Sequence, residues 1–125
     1  MTAREQIAWA AGFIDGDGSF QASRSGQATI AAGQSSSNGE PEELSRMAEY
    51  FGGRVTGPYQ SKAVNRQPNY KWSIVGFGAV QSIVAVMWPF LSQTKRVTAV
   101  RILREDRSNT LRPKKRIQHR IPMEV

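Results

Sequence analysis

Residues 10–18 read Ala10-Ala11-Gly12-Phe13-Ile14-Asp15-Gly16-Asp17-Gly18, and the elements on either side follow from how this stretch is read. Upstream, Thr2-Ala3-Arg4-Glu5 has the form of a capping box, a hydroxyl N-cap followed three residues later by a glutamate. It opens an apolar run, Ile7 to Ile14, that predicts a helix broken by the Asp-Gly-Asp-Gly at 15–18. Ala8, Ala11, Gly12 and Asp15 fall on one helical face by their i, i+3, i+4, i+7 spacing. Side chains this small let two helices approach backbone to backbone. Ordinary core packing within one subunit is the other reading of the same face.

After Gly18 the period changes to two. Phe20 and Ala22 alternate with Ser19, Gln21 and Ser23; past a Ser25-Gly26 turn, Ala28, Ile30 and Ala32 alternate with Gln27, Thr29 and Ala31. This predicts a hairpin with one apolar face and one small, polar face. Residues 33–39, rich in Gly, Ser and Asn, read as a loop. Pro41 suits the first turn of a second helix, with Leu44, Met47, Ala48 and Phe51 at helical spacing and Gly52-Gly53 as its end. In the second strand pair Val55 and Tyr59 alternate with Arg54 and Thr56, then Tyr70, Trp72 and Ile74 with Asn69, Lys71 and Ser73. Their connection, 60–68, is polar and carries Lys62 and Arg66. An apolar helix from Ala79 to about Met87, a break at Pro89 and an amphipathic segment over 94–107 complete the order α-ββ-α-ββ-α-α. The expected class is α+β: helices cover the apolar face of a four-stranded antiparallel sheet whose polar face stays open. The domain spans 1–107, and 108–125 form a basic C-terminal tail.

A chain of 125 residues with 39% hydrophobic content suits one domain. The absence of cysteine excludes disulfides, thiol catalysis and cysteine-ligated zinc. The single histidine, His119, excludes sites that need two imidazoles. No run approaches the roughly 20 apolar residues of a membrane span, and no secretory signal opens the chain. The expectation is a cytoplasmic protein with neither a membrane nor a small-molecule partner. The net charge of +7 is unevenly placed: residues 94–125 hold ten Lys/Arg against Glu105, Asp106 and Glu124, whereas residues 1–93 balance seven against seven. Such asymmetry suggests a polyanion, because each Lys or Arg near a phosphate displaces counterions. A solvated tail is the alternative.

Residues 10–18 resemble the LAGLIDADG motif of homing endonucleases at seven or eight of nine positions, counting conservative exchanges. Ala10, Phe13 and Gly16 are the departures, and Ser19-Phe20 is a usual continuation. The element order over 3–107 resembles the family's αββαββα plan, and Pro89-Phe90-Leu91 followed by Lys95 resembles the segment that supplies its lysine. The resemblance implies a site-specific endonuclease that makes a double-strand break in a long, near-palindromic double-stranded DNA target by phosphodiester hydrolysis. One motif per chain implies a homodimer related by a twofold axis, with Ala8, Ala11, Gly12 and Asp15 at the seam. Asp17, beside its symmetry mate and aided by the Gly16 carbonyl, would hold catalytic Mg2+, with Mn2+ able to substitute. Asp15 is implied to be structural.

Lys95 is the expected basic residue for the water or the phosphate, although an ungapped alignment from Pro89 puts Thr94 there, and Arg96 is its rival. Gln34 and Ser36 both qualify for the water network, since the run Ser35-Ser36-Ser37 leaves the register open. Candidates for DNA contact are Gln21, Ser23, Arg24, Gln27 and Thr29 on the first hairpin, and Arg54, Thr56, Arg66, Asn69, Lys71 and Ser73 on the second. Arg112-Pro113-Lys114-Lys115-Arg116 would touch phosphates. A DNA-binding regulator that has lost cleavage and an RNA-binding intron maturase are the rival functions; the intact Asp-Gly-Asp-Gly favours a nuclease. Intron homing in a prokaryotic or phage context is the expected setting.

Overall fold

In the computed structural model, which describes residues 1–60 and 66–108, α1 (Ala3–Asp17) leads into β1 (Gly18–Ala22) and β2 (Ala28–Ser35). Then come α2 (Glu42–Phe51), β3 (Arg54–Tyr59), β4 (Asn69–Val75), α3 (Phe77–Met87) and α4 (Gln93–Glu105), with a 3-10 turn, Trp88–Phe90, between the last two. The four strands form one antiparallel sheet in the order β1-β2-β4-β3, so the α+β expectation holds. Lys62, His119 and the basic run Arg112–Arg116 lie outside the described residues. Among the described residues, no helix is long and apolar enough to cross a membrane.

The capping box opens α1 as the spacing predicts. The Thr2 hydroxyl accepts from the Glu5 N–H at 3.1 Å, and the Glu5 carboxylate accepts from the Thr2 N–H at 3.0 Å. The backbone bond from Thr2, and then its side chain, hold the Glu5 carboxyl below its ordinary value. At the other end the helix breaks within the expected 15–18 and passes straight into a strand, but only at the last glycine. Asp-Gly-Asp-Gly does not stop the helix at 15; α1 continues through Asp17, and the Gly18 N–H caps it on the Ile14 carbonyl. Burial of Ile14 outweighs the poor helix propensity of Gly16. Gly18 itself is dictated by close approach: a Cβ there would lie 2.6 Å from Ile14 Cδ1 and 2.9 Å from Ile14 Cα. Only glycine lets the chain leave α1 into β1 directly against its own last turn.

Residues directly opposite one another in the sheet share a face, so the register sorts them into rows. Phe20, Ile30 and Ile74 form one inner row, and Gly18, Ala32, Trp72 and Val55 the next. Against these pack Ile14 of α1, Leu44 and Met47 of α2 and Val80 and Met87 of α3. Trp72 lies at the centre, fully buried, its Nε1 donating to the Gly52 carbonyl at 2.9 Å.

Three further details differ from the sequence expectation. β2 runs on through Gly33-Gln34-Ser35 rather than ending in a loop, because β4 pairs with it as far as Ser35↔Asn69. Tyr59 does not share the inner face with Val55, because β3 shifts register between Thr56 and Tyr59. The third is a buried carboxyl group. Asp106, just past α4, is 1% exposed and accepts from the Ala28 N–H at 2.5 Å and from the Ser108 N–H at 2.7 Å. Next to it the Arg107 N–H donates to the Gly26 carbonyl at 3.0 Å, so the end of α4 is fastened to the first hairpin. Asp106→Ala is expected to cost about 2–3 kcal/mol, because the buried Ala28 N–H loses its acceptor. The denaturant midpoint would fall with an unchanged slope; an unmoved midpoint would remove Asp106 from the fastening.

Candidate functional site

Asp17, the last residue of α1, presents an exposed carboxylate where the helix meets the sheet. Gln34 Nε2 donates to Asp17 Oδ2 at 3.4 Å. The extension of β2 beyond residue 32 is what carries Gln34 there, opposite Tyr70 in the register. Ser36 does something else. Its N–H donates to the Pro68 carbonyl at 3.0 Å and its hydroxyl accepts from the Asn38 N–H at 3.2 Å, so it shapes the exit from β2. Ser36 and Asp17 still line one open cavity of about 760 Å³, together with Asn38, Glu40 and Glu43.

Asp15 reaches in the other direction. Its carboxylate accepts from the Ser92 N–H at 3.1–3.2 Å. Ser92 in turn caps α4, its hydroxyl accepting from the Lys95 N–H at 3.2 Å, and Lys95 Nζ donates to the Gly18 carbonyl at 2.5 Å. Asp15 thus fixes the start of the helix that delivers an ammonium group to the Gly18 carbonyl, one residue after Asp17. Arg96, the rival to Lys95, lies elsewhere: its guanidinium stacks over the Trp88 ring at 5.2 Å and Nε donates to the Trp88 carbonyl at 3.0 Å. Thr94 is exposed on the first turn of α4.

The small-residue face of α1 needs one correction. Ala11 is 0% exposed and belongs to this chain's own core, so it offers no surface to a second helix. Trp9 and Phe13 stack at 5.5 Å, and Trp9 meets Tyr50 of α2 edge-on at 6.1 Å. What stays open is a strip at intervals of four: half-buried Ala8, then exposed Gly12 and Gly16, with half-buried Asp15 beside it. A Cβ at Gly12 or Gly16 would meet nothing within 4 Å.

On the outer face of the sheet, central strand β2 contributes only small side chains, Thr29, Ala31, Gly33 and Ser35. Longer side chains rise on both sides: Gln21 on β1, and Asn69, Lys71 and Tyr59 on β4 and β3. The result is a trough. A cavity of about 420 Å³ in it is lined by Gln21, Tyr59, Asn69 and Lys71 and reaches Asp17. Arg54 is exposed on this face, with Thr56 and Ser73 half-buried beside it, and Arg66 is exposed in the connection before β4. Asn69 accepts from the Ser35 hydroxyl at 2.6 Å.

Thr29 does not fill the role expected of it. It is 7% exposed, a short side chain between Gln21 and Val75 on a central strand, and its hydroxyl donates to the Gln27 carbonyl at 3.3 Å. Ser23 builds the hairpin turn, accepting from the Gln27 N–H at 3.1 Å and pairing with Ser25 at 2.9 Å. Arg24 and Gln27 are exposed around that turn. Two outward residues were missed as candidates. Ser19 follows the same alternation as Gln21, to which it is hydrogen-bonded at 3.1 Å, so a period of two could have found it. Tyr59 sits on the outer face against its periodicity, and the Gly57-Pro58 pair just before it is the signal that could have found it.

The oxygens gathered at the foot of α1 suit a hard divalent cation: an exposed carboxylate, and helix-end carbonyls such as that of Gly16 that have no donor within the helix. Among the described residues, no three His, Cys, Asp or Glu side chains cluster as a ready-made cage.

No protein-family model matches the chain, and no curated protein matches it. Solved structures do. The homing endonuclease I-CvuI, in complex with its target in the presence of calcium, aligns with a TM-score of 0.57 and 22% identity over 80% of this chain. The homing endonuclease I-TnaI aligns at 0.56 and 20% over 78% of this chain and 69% of its own length. The LAGLIDADG meganuclease I-CpaMI, bound to uncleaved DNA, aligns at 0.52 and 17% over 73% of this chain and 33% of its own. The present chain therefore spans 64% of the length of I-CvuI. It has the LAGLIDADG homing-endonuclease fold.

Proposed function

We propose that this protein is a site-specific DNA endonuclease that works as a twofold homodimer with a divalent cation at Asp17. The observation that carries the reading is the meeting of three things at the foot of α1: the exposed Asp17 carboxylate, the Lys95 ammonium held at Gly18, and the open trough of the sheet. A β-ribbon of this kind fits the major groove, and Lys71, Arg54, Asn69 and Gln21 carry the donors and acceptors that base edges and phosphates require.

Asp17 and the Gly16 carbonyl would hold Mg2+, or Mn2+ in its place. When bound, the cation supplies Lewis acidity and a more acidic water for phosphodiester hydrolysis. The chain's own residues do the rest. Gln34 steadies the Asp17 carboxylate and leaves its amide oxygen to orient water. Lys95 brings positive charge to a phosphate, and Asp15 holds Lys95 in place through Ser92. One such centre serves one strand, so a double-strand break needs a second copy. The Ala8-Gly12-Gly16 strip would let α1 lie against its twin, bringing two Asp17 carboxylates into a proximity that cations relieve.

Plasmid carrying the sequence around the gene's own insertion site tests the reading, with magnesium compared against EDTA. Linear product only with magnesium is expected. A site that is bound but never nicked in magnesium or manganese leaves a DNA-binding protein and ends the enzyme proposal. For the dimer, Gly12→Leu is expected to give half the mass by sedimentation at micromolar concentration, with unchanged circular dichroism. A Cβ at this exposed position meets nothing within 4 Å in its own subunit, and replacing a helical glycine removes a penalty of about 1 kcal/mol. A dimer that persists in Gly12→Leu would exclude this seam.

A further inference from the structure

Along β3, strict alternation would place Tyr59 with Val55, facing the helices. The pairing with β4 shows why it does not. Thr56 lies opposite Lys71 and Tyr59 opposite Asn69, three steps along β3 against two along β4. One extra residue is accommodated in a bulge, and an extra residue exchanges the two faces of everything after it. Gly57 makes the bulge possible, at φ +127° and so close to β4 that a Cβ would lie 2.8 Å from the Asn69 carbonyl. Pro58, which has no N–H to offer the ladder, occupies the position the bulge leaves unpaired. Tyr59 is thereby turned onto the outer face, where it is 52% exposed and lines the same cavity as Gln21, Asn69, Lys71 and Asp17.

A half-exposed aromatic ring beside Gln21, Asn69 and Lys71 offers an apolar contact next to hydrogen-bonding groups. The one apolar feature of the major groove is the thymine 5-methyl group. Resting on the reading of the trough as a duplex-binding face, we propose that Tyr59 is a specificity-determining residue whose ring contacts a thymine methyl in each half-site.

The test starts from the duplex that the full chain selects out of a randomised pool. Each thymine in it is replaced in turn by uracil, which removes only the methyl. One symmetry-related pair of positions is expected to weaken binding by about fourfold per half-site, the value of one buried methyl group. In Tyr59→Ala the same replacement should change nothing, and the all-thymine duplex should bind as weakly as the uracil duplex binds the unaltered chain. Tyr59→Phe keeps the ring and should keep the discrimination. A flat uracil scan with the unaltered chain would overturn the assignment, as would a uracil penalty that survives in Tyr59→Ala. Loss of affinity in Tyr59→Phe equal to that in Tyr59→Ala, without thymine discrimination, would put the hydroxyl on a phosphate and also overturn it. Failure to select any duplex would fall on the DNA-binding function itself, whereas selective binding with a flat scan falls on Tyr59 alone.

Discussion

Asp17→Asn is expected to slow single-turnover DNA cleavage by about three powers of ten or more, while target binding changes by no more than about threefold. The two effects separate because the carboxylate has different partners in the two steps. Within the folded chain Asp17 contributes little to stability: it is exposed, and among the described residues it accepts a single 3.4 Å hydrogen bond, from Gln34, that asparagine can still accept. In binding, a negative charge close to phosphates is a mild liability, so its removal does not weaken the complex. In hydrolysis, the same charge is the carboxylate that α1 itself leaves free at its foot, since Asp15 is engaged with Ser92. An amide oxygen is a far poorer ligand for a hard dication, and the Lewis acid is worth several kcal/mol of transition-state stabilisation. Cleavage measured in magnesium alongside binding measured in EDTA decides the matter. Cutting within tenfold of the unaltered chain would take Asp17 out of the reaction.

Trp72→Ala is expected to have the largest effect on the fold, a loss of about 3–5 kcal/mol from a total stability of about 5–15 kcal/mol. The side chain is fully buried on β4, the strand flanked by β2 and β3, and its indole N–H is the donor to the Gly52 carbonyl. Truncation therefore opens a large void and orphans a carbonyl at the end of α2. The melting temperature should drop by roughly 10–20 °C in a thermal scan. A drop of only a degree or two would mean that the core closes over the vacancy far better than its packing suggests. Function would suffer with stability, because Lys71 and Ser73 adjoin Trp72 on the same strand and face the trough.

Much of this arrangement was legible from short-range pattern. Phe20, Ile30, Trp72 and Ile74 announce the inner face by alternation, and Leu44 and Met47 announce the buried stripe of α2. The motif at 10–18 pointed to Asp17 and to the two-layer plan. What could not be read has a common cause: it depends on partners distant in the chain. Ala11 is small on a helical face, and small residues look alike whether they adjoin their own core or a twin helix; only the packing of Ala10, Ala11 and Ile14 decides. Asp106 stands among charges at the edge of a basic tail, and nothing nearby indicates that its acceptor role is for Ala28, 78 residues away. Gly33-Gln34-Ser35 has poor strand propensity, yet pairing with β4 overrides it and selects Gln34 over Ser36 as the neighbour of Asp17. The bulge at Gly57 breaks the periodicity that the sequence argument relied on, and Tyr59 is its casualty.

The cross-strand rows of the outer face bear on how such a surface changes its preference over evolutionary time. Gly33, Lys71 and Thr56 make one row; Ser35, Asn69 and Tyr59 make the next. Strands lie about 4.8 Å apart while successive same-face residues on one strand are about 6.8 Å apart, so side chains touch more closely across a row than along a strand. Substitutions in contact are not additive. Drift toward a new target should then leave its trace as covariation among positions widely separated in the chain, such as 35, 69 and 59. A library built to retarget the protein would do better to randomise one row at a time than one strand at a time.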